Sequence, residues 1–164
     1  MTIFRFSLAA ISAVMLFGCT TMHIGDSDVE AVAKSYCAAI IANDEAKAEM
    51  LLSDSLLLAI TKARETNRLF EAAHPGDKPP LGDGLPLTGY PDRPSTCTPT
   101  DIRDGSVTLR YELAYGPEAD WQDKLIFETS TGGAKIADVL FGPEHKHTLS
   151  QALATIVNEG TPAI

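Results

Sequence analysis

Between residues 74 and 99 the hydrophobic period of this chain changes from that of a helix to that of a strand, and this change fixes the order of its layers. Upstream, Val29, Val32, Ala33, Tyr36, Ala39 and Ile40 recur at helical spacing. Leu56, Leu57, Ile60, Ala63, Leu69 and Phe70 do the same. Downstream, Val107, Leu109, Tyr111, Leu113 and Tyr115 alternate with Thr108, Arg110, Glu112 and Ala114, the pattern of a strand with one buried face. Helices first and strands second give an α+β plan, with helices packed on one face of a curved antiparallel sheet.

The punctuation predicts the individual elements. Ser27, with Glu30 three residues on, reads as a capping box opening a helix to Asn43. A second helical stretch starts near Asp44, and Ser53-Asp54-Ser55 caps a third that runs to about Ala73. His74-Pro75-Gly76 ends it. Residues 74–99 then carry Pro75, Pro79, Pro80, Pro86, Pro91, Pro94 and Pro99 together with Gly82-Asp83-Gly84. A loop of this length is unusual inside a compact domain and often functional. Asp104-Gly105 is a hairpin turn between a strand at 98–103 and the alternating strand. Gly116-Pro117 leads into a strand at 121–129, and Thr131-Gly132-Gly133 turns into another at 135–141. Gly142-Pro143 closes the meander, and Thr148 or Ser150 opens a final helix through Val157.

The N-terminus predicts export. Arg5 precedes an apolar run from Ser7 to Phe17, and Leu16-Phe17-Gly18-Cys19 has the form of a bacterial lipobox. The run is shorter than the roughly 20 apolar residues of a membrane-spanning helix. A cleaved signal at 1–18 is expected, with Cys19 acylated and residues 19–25 as a short linker to a single domain at 26–160. An ordinary secretory signal is the competing reading, but Thr20-Thr21-Met22-His23 makes a poor cleavage box. Thr20, not Asp, follows the cysteine, which in the lipoproteins it resembles favours the outer over the inner membrane. The expected location is thus the cell envelope, lipid-anchored and facing the periplasm.

Removing residues 1–18 leaves 146 of the 164 residues, enough for one domain with a real core. It also removes one cation, so the net charge moves from −9 to −10. Such a surface repels phosphate backbones and excludes nucleic acid as a natural partner. It suits a basic protein partner, and equally simple solubility. Cys37 and Cys97 remain, and an oxidising compartment favours a disulfide between them over two separate buried thiols. His145-Lys146-His147 is the only local metal-like cluster and, like His74, reads as solvated, so no metal or other cofactor is expected.

Several segments together carry a family resemblance. They are Tyr36-Cys37, Lys78-Pro79-Pro80-Leu81, Pro94-Ser95-Thr96-Cys97, Trp121-Gln122-Asp123-Lys124-Leu125 and Lys135-Ile136-Ala137-Asp138-Val139. The chain resembles a group of exported bacterial proteins of unknown function, itself similar to the nuclear transport factor 2-like (SnoaL-like) superfamily. That resemblance implies a cone of helices on a bent sheet over most of residues 27–158. The superfamily hosts enzymes, ligand binders and interaction domains, so the fold does not choose among them.

Asp138 is the sharpest candidate for chemistry. In an unbroken strand it shares a face with Ile136 and Leu140, so it is expected to be buried, either paired structurally or poised as a base. Tyr36, Tyr111, Tyr115, Trp121 and Asp123 are candidate pocket residues and, more simply, core groups. No nucleophile elbow or phosphate loop is present. Three readings follow. The first is a non-enzymatic, membrane-anchored envelope domain that binds a protein partner or small ligand, as an immunity or accessory factor, with an exposed patch near residues 74–97. The second is a small periplasmic enzyme with Asp138 as base in an aromatic pocket. The third is a structural envelope lipoprotein.

Overall fold

The structure is a computed structural model and describes residues 25–82, 84–90, 92–114, 116 and 121–160. The leader, the lipobox with Cys19 and most of the linker lie outside these residues, as does Tyr115. Three helices come first: α1 (Asp26–Ala42), α2 (Glu45–Glu49) and α3 (Asp54–Ala73). Five strands follow, β1 (Thr96–Arg103), β2 (Ser106–Glu112), β3 (Trp121–Ser130), β4 (Gly133–Phe141) and β5 (His147–Thr148), and then α4 (Leu149–Glu159). The sheet is an antiparallel meander in the order β1-β2-β3-β4-β5. The α+β expectation is therefore met at the level of N-terminal helices, an open antiparallel sheet and a closing helix.

The helices begin and end where side-chain chemistry allows. Ser53 accepts from the Leu56 N–H at the start of α3, and Asp44 from the Lys47 N–H at the start of α2. Thr148 and Gln151 make a reciprocal capping box on α4. At α1 the expectation fails: the helix starts one residue earlier, behind Gly25, and Ser27 makes no cap. Asp26 and Asp28 in its first turn favour the positive end of the helix dipole instead. Asn43 ends α1 in the left-handed conformation that asparagine tolerates.

Alternation along the strands builds the core. Val107, Leu109 and Tyr111 of β2 and Asp123, Leu125 and Phe127 of β3 point to the helix side and are buried. They meet Val29, Ala33, Tyr36 and Cys37 from α1 and Leu56, Ile60 and Ala63 from α3. The Asp104-Gly105 turn has positive φ at both residues, 50° and 69°, the twist that a tight hairpin needs. Leu69, expected on the apolar face of α3, is instead 46 % exposed. Cys37 and Cys97 are bonded, with α-carbons 5.3 Å apart, and fasten α1 to β1.

One irregularity changes the reading of β4. Ile126 pairs with Asp138 but Phe127 pairs with Ile136, so Ala137 bulges from the ladder. The buried positions become Ile136 and Val139, three apart, and the alternation expected for Ile136, Asp138 and Leu140 is broken. Beyond the bulge β4 also changes its outer neighbour. Residues 51–53 bond to Ile136 through both of its backbone groups, while β5 pairs with Leu140 and Phe141. The outer edge of β4 is thereby covered at Ile136 and at Leu140–Phe141.

Candidate functional site

Asp138 is half-buried, not enclosed in an apolar pocket. The bulge turns its carboxylate toward the start of α4. Oδ2 accepts from Ser150 Oγ at 2.6 Å, and Oδ1 accepts from the backbone N–H groups of Ser150 at 3.1 Å and Val139 at 2.8 Å. A carboxylate at a helix N-terminus is favoured by the free N–H groups and the dipole. With both oxygens engaged there, Asp138 anchors the start of α4.

The remaining described candidates do come together. Asp123 on β3 is completely buried. Its Oδ1 accepts from Trp121 Nε1 at 2.8 Å and from the Gly142 N–H at 2.9 Å, and its Oδ2 accepts from the Gly89 N–H at 2.9 Å. Burial holds its pKa above the ordinary carboxylate range, opposed by these three donors and by the nearby His145. Tyr36 on α1 is buried and donates its hydroxyl to the Leu87 carbonyl at 2.6 Å. Burial, and then the charge of Asp123, push its pKa far up, so the phenol stays protonated. Tyr111 on β2 is buried beside them. Burial, Tyr36 and Asp123 raise its pKa in that order, and its hydroxyl has no hydrogen-bond partner of good geometry. His145 Nε2 is a second buried atom without a partner.

Residues 84–90 lie over this cluster, and the sequence did not point to them individually. Leu87 is buried among core side chains, and Tyr90 leans on Trp121 with ring centroids 5.5 Å apart. Gly89 fits tightly against the cluster. A Cβ there would meet Asp123 Oδ1 at 2.7 Å, Phe141 Cβ at 2.8 Å and Trp121 Nε1 at 2.8 Å. Of the two readings of these residues, pocket or core, Tyr36, Tyr111 and Asp123 are seen as core groups, in a polar seam that the chain's own loop fills. The only sequence signal for the loop was its proline and glycine content.

The open space lies on the other side of that loop. A groove of about 560 Å³ runs between the end of α1 with the α1–α2 turn (Ala39, Ile40, Asn43, Asp44, Glu45) and the segment from Gly84 to Pro94. Arg93 reaches across to the Ile41 carbonyl, through Nε at 2.8 Å and through its terminal nitrogen. Asp44 is paired with Lys47 and Glu45 with Arg64, both near the surface. Among the described residues, no three His, Cys, Asp or Glu side chains gather as a metal site, and no helix is long and apolar enough to cross a membrane. Compared with known proteins, the chain matches no family, no curated protein and no solved structure.

Proposed function

We propose that this chain is a lipid-anchored envelope domain of the cone-shaped nuclear transport factor 2-like kind, and that it binds the basic group of a protein partner in the groove beside α1. The observation that carries the reading is the groove's lining. Among the described residues that line it, Asp44, Glu45 and Asp92 outnumber the one cation, Arg93, at the negative end of the α1 dipole, with Lys47 and Arg64 pairing two of the acids from outside the lining. A last turn of α1 without any basic residue leaves that end uncompensated by its own helix. The net charge of −9 would draw a cationic partner toward the domain and favour rapid encounter. The pairs that hold Asp44 and Glu45 are exposed and weak, so a lysine or arginine entering the groove can displace them. The anchor belongs to the proposal through Cys19 and the apolar run before it. The engagement of both Asp138 oxygens weighs against the enzyme reading.

The test is a titration of the isotopically labelled domain with trilysine and, separately, triglutamate, followed through backbone amide shifts. Trilysine is expected to move Ala39, Asn43, Asp44 and Asp92 first, and added salt should weaken the effect. Equal responses to the two peptides, or trilysine shifts centred elsewhere, would overturn the reading.

A further inference from the structure

We propose that Tyr36, Trp121 and Asp123 form a binding site for a bent peptide segment carrying glycine, and that residues 84–90, which turn through the Leu87 N–H to the Leu85 carbonyl, occupy this site as an internal stand-in. The inference is independent of the groove reading, although the same strap forms one wall of that groove.

The strap is held by its backbone in the manner of a bound peptide. The Leu87 carbonyl accepts from Tyr36, and the Gly89 N–H, two residues on, donates to Asp123. Two backbone groups two residues apart thus fix the strap, while the Leu87 N–H turns back to the Leu85 carbonyl. Leu87 fills an apolar place in the core, and Tyr90 packs on the indole of Trp121. Yet residues 84–90 belong to no strand and pair with none.

The receiving groups do not need the strap to stay in place. Asp123 is fixed independently through Oδ1 by Trp121 and Gly142, and Tyr36 is mounted within α1. The Tyr111 hydroxyl, buried beside them near Asp123, makes no hydrogen bond to the strap. The selectivity follows from Gly89. Its φ is not in the left-handed region, so glycine is required there for space alone. Any side chain at the residue that donates to Asp123 would collide with the carboxylate, Phe141 and the indole. A competing segment must therefore present glycine at that position. Because the strap is covalently tethered, its effective concentration is high and a free segment competes poorly with it.

Gly89→Ala turns this into an experiment, with Trp121, the single tryptophan, as reporter. The variant should keep the far-ultraviolet circular dichroism of the wild type. Its emission should move to longer wavelength as the strap leaves and the indole is wetted. A synthetic peptide of residues 84–90, Gly-Leu-Pro-Leu-Thr-Gly-Tyr, should return the emission toward the wild-type position, and the same peptide with alanine in place of Gly89 should not. An unshifted emission in the variant, no response to the peptide, or equal response to both peptides would overturn the proposal. Should the variant fail to fold, hydrogen exchange on the wild type decides. Gly89 and Gly142 donate to the same carboxylate, so a displaceable strap predicts exchange at Gly89 faster by about ten-fold or more. Equal rates would mean that strap and core open as one unit and would reject the proposal.

Discussion

Asp123 sits in the core without a cation bonded to it, held by three N–H donors from three separate segments. Its raised pKa sets the sign of its contribution to stability. The folded state holds the proton more tightly than the unfolded chain, so this contribution is greatest in acid. It is lost as pH rises from the ordinary aspartate value of 3.8 through the higher folded value. Asp123→Asn removes that dependence and turns an amide N–H₂ toward donors that require an acceptor. It should lower stability by about 1–3 kcal/mol, with the gap to wild type narrowing as pH rises through that window. Urea unfolding of both proteins across the acidic range checks this, and a gap that widens with pH would contradict it. Asp138 is the contrasting residue, partly wetted and tied to α4. Asp138→Asn keeps one acceptor oxygen and should cost about 1 kcal/mol, the range of a lost helix cap, read as a lower melting temperature. A loss of several kcal/mol would place Asp138 in the core after all.

Between elements, the disulfide is the covalent joint, tying α1 to β1 across 60 residues that include α2, α3 and the whole proline-rich loop. Closing a loop of that length removes unfolded-state entropy worth about 4 kcal/mol. The double variant Cys37→Ala, Cys97→Ala should unfold at correspondingly lower urea, and an unchanged midpoint would show that the bond adds no net stability. This pairing was legible because the sequence holds only two cysteines beyond the lipobox. The strands and their turns were legible because period-two alternation and Asp-Gly turns are local signals. What the sequence hid was non-local. The bulge at Ala137 has no residue signature, and it alone moves Asp138 from the core face to the start of α4. The short β5 is defined by Leu140 and Phe141 across from it, not by its own two residues. Asp123 could be suspected as a pocket group from its strand face, but its partners Gly89 and Gly142 lie 34 and 19 residues away.

At the scale of the whole molecule, the proposed anchor and the acidic domain act on each other. If Cys19 is acylated, the segment to the first residue of α1 is seven residues long and reaches at most about 25 Å even when fully extended. The domain would be confined to a shallow layer above the bilayer. Its net negative charge would keep it from lying on anionic lipid, so its binding surfaces would stay open to partners in that layer. Several acyl chains on one cysteine give firm attachment, since each buried methylene contributes about 0.8 kcal/mol. The protein should therefore resist extraction by high salt and come away only with detergent. Cys19→Ser leaves the apolar run intact but removes the acylated atom. It should yield either soluble periplasmic protein or an uncleaved precursor held by its leader, and metabolic labelling with a fatty acid should disappear. The folded domain should be indifferent to the change, because Cys19 is not one of the paired cysteines and lies before the first described helix. Its melting temperature should match that of the domain prepared from residue 25 onward. Fatty-acid label persisting on the Cys19→Ser protein would place the lipid elsewhere and remove the anchor from this account.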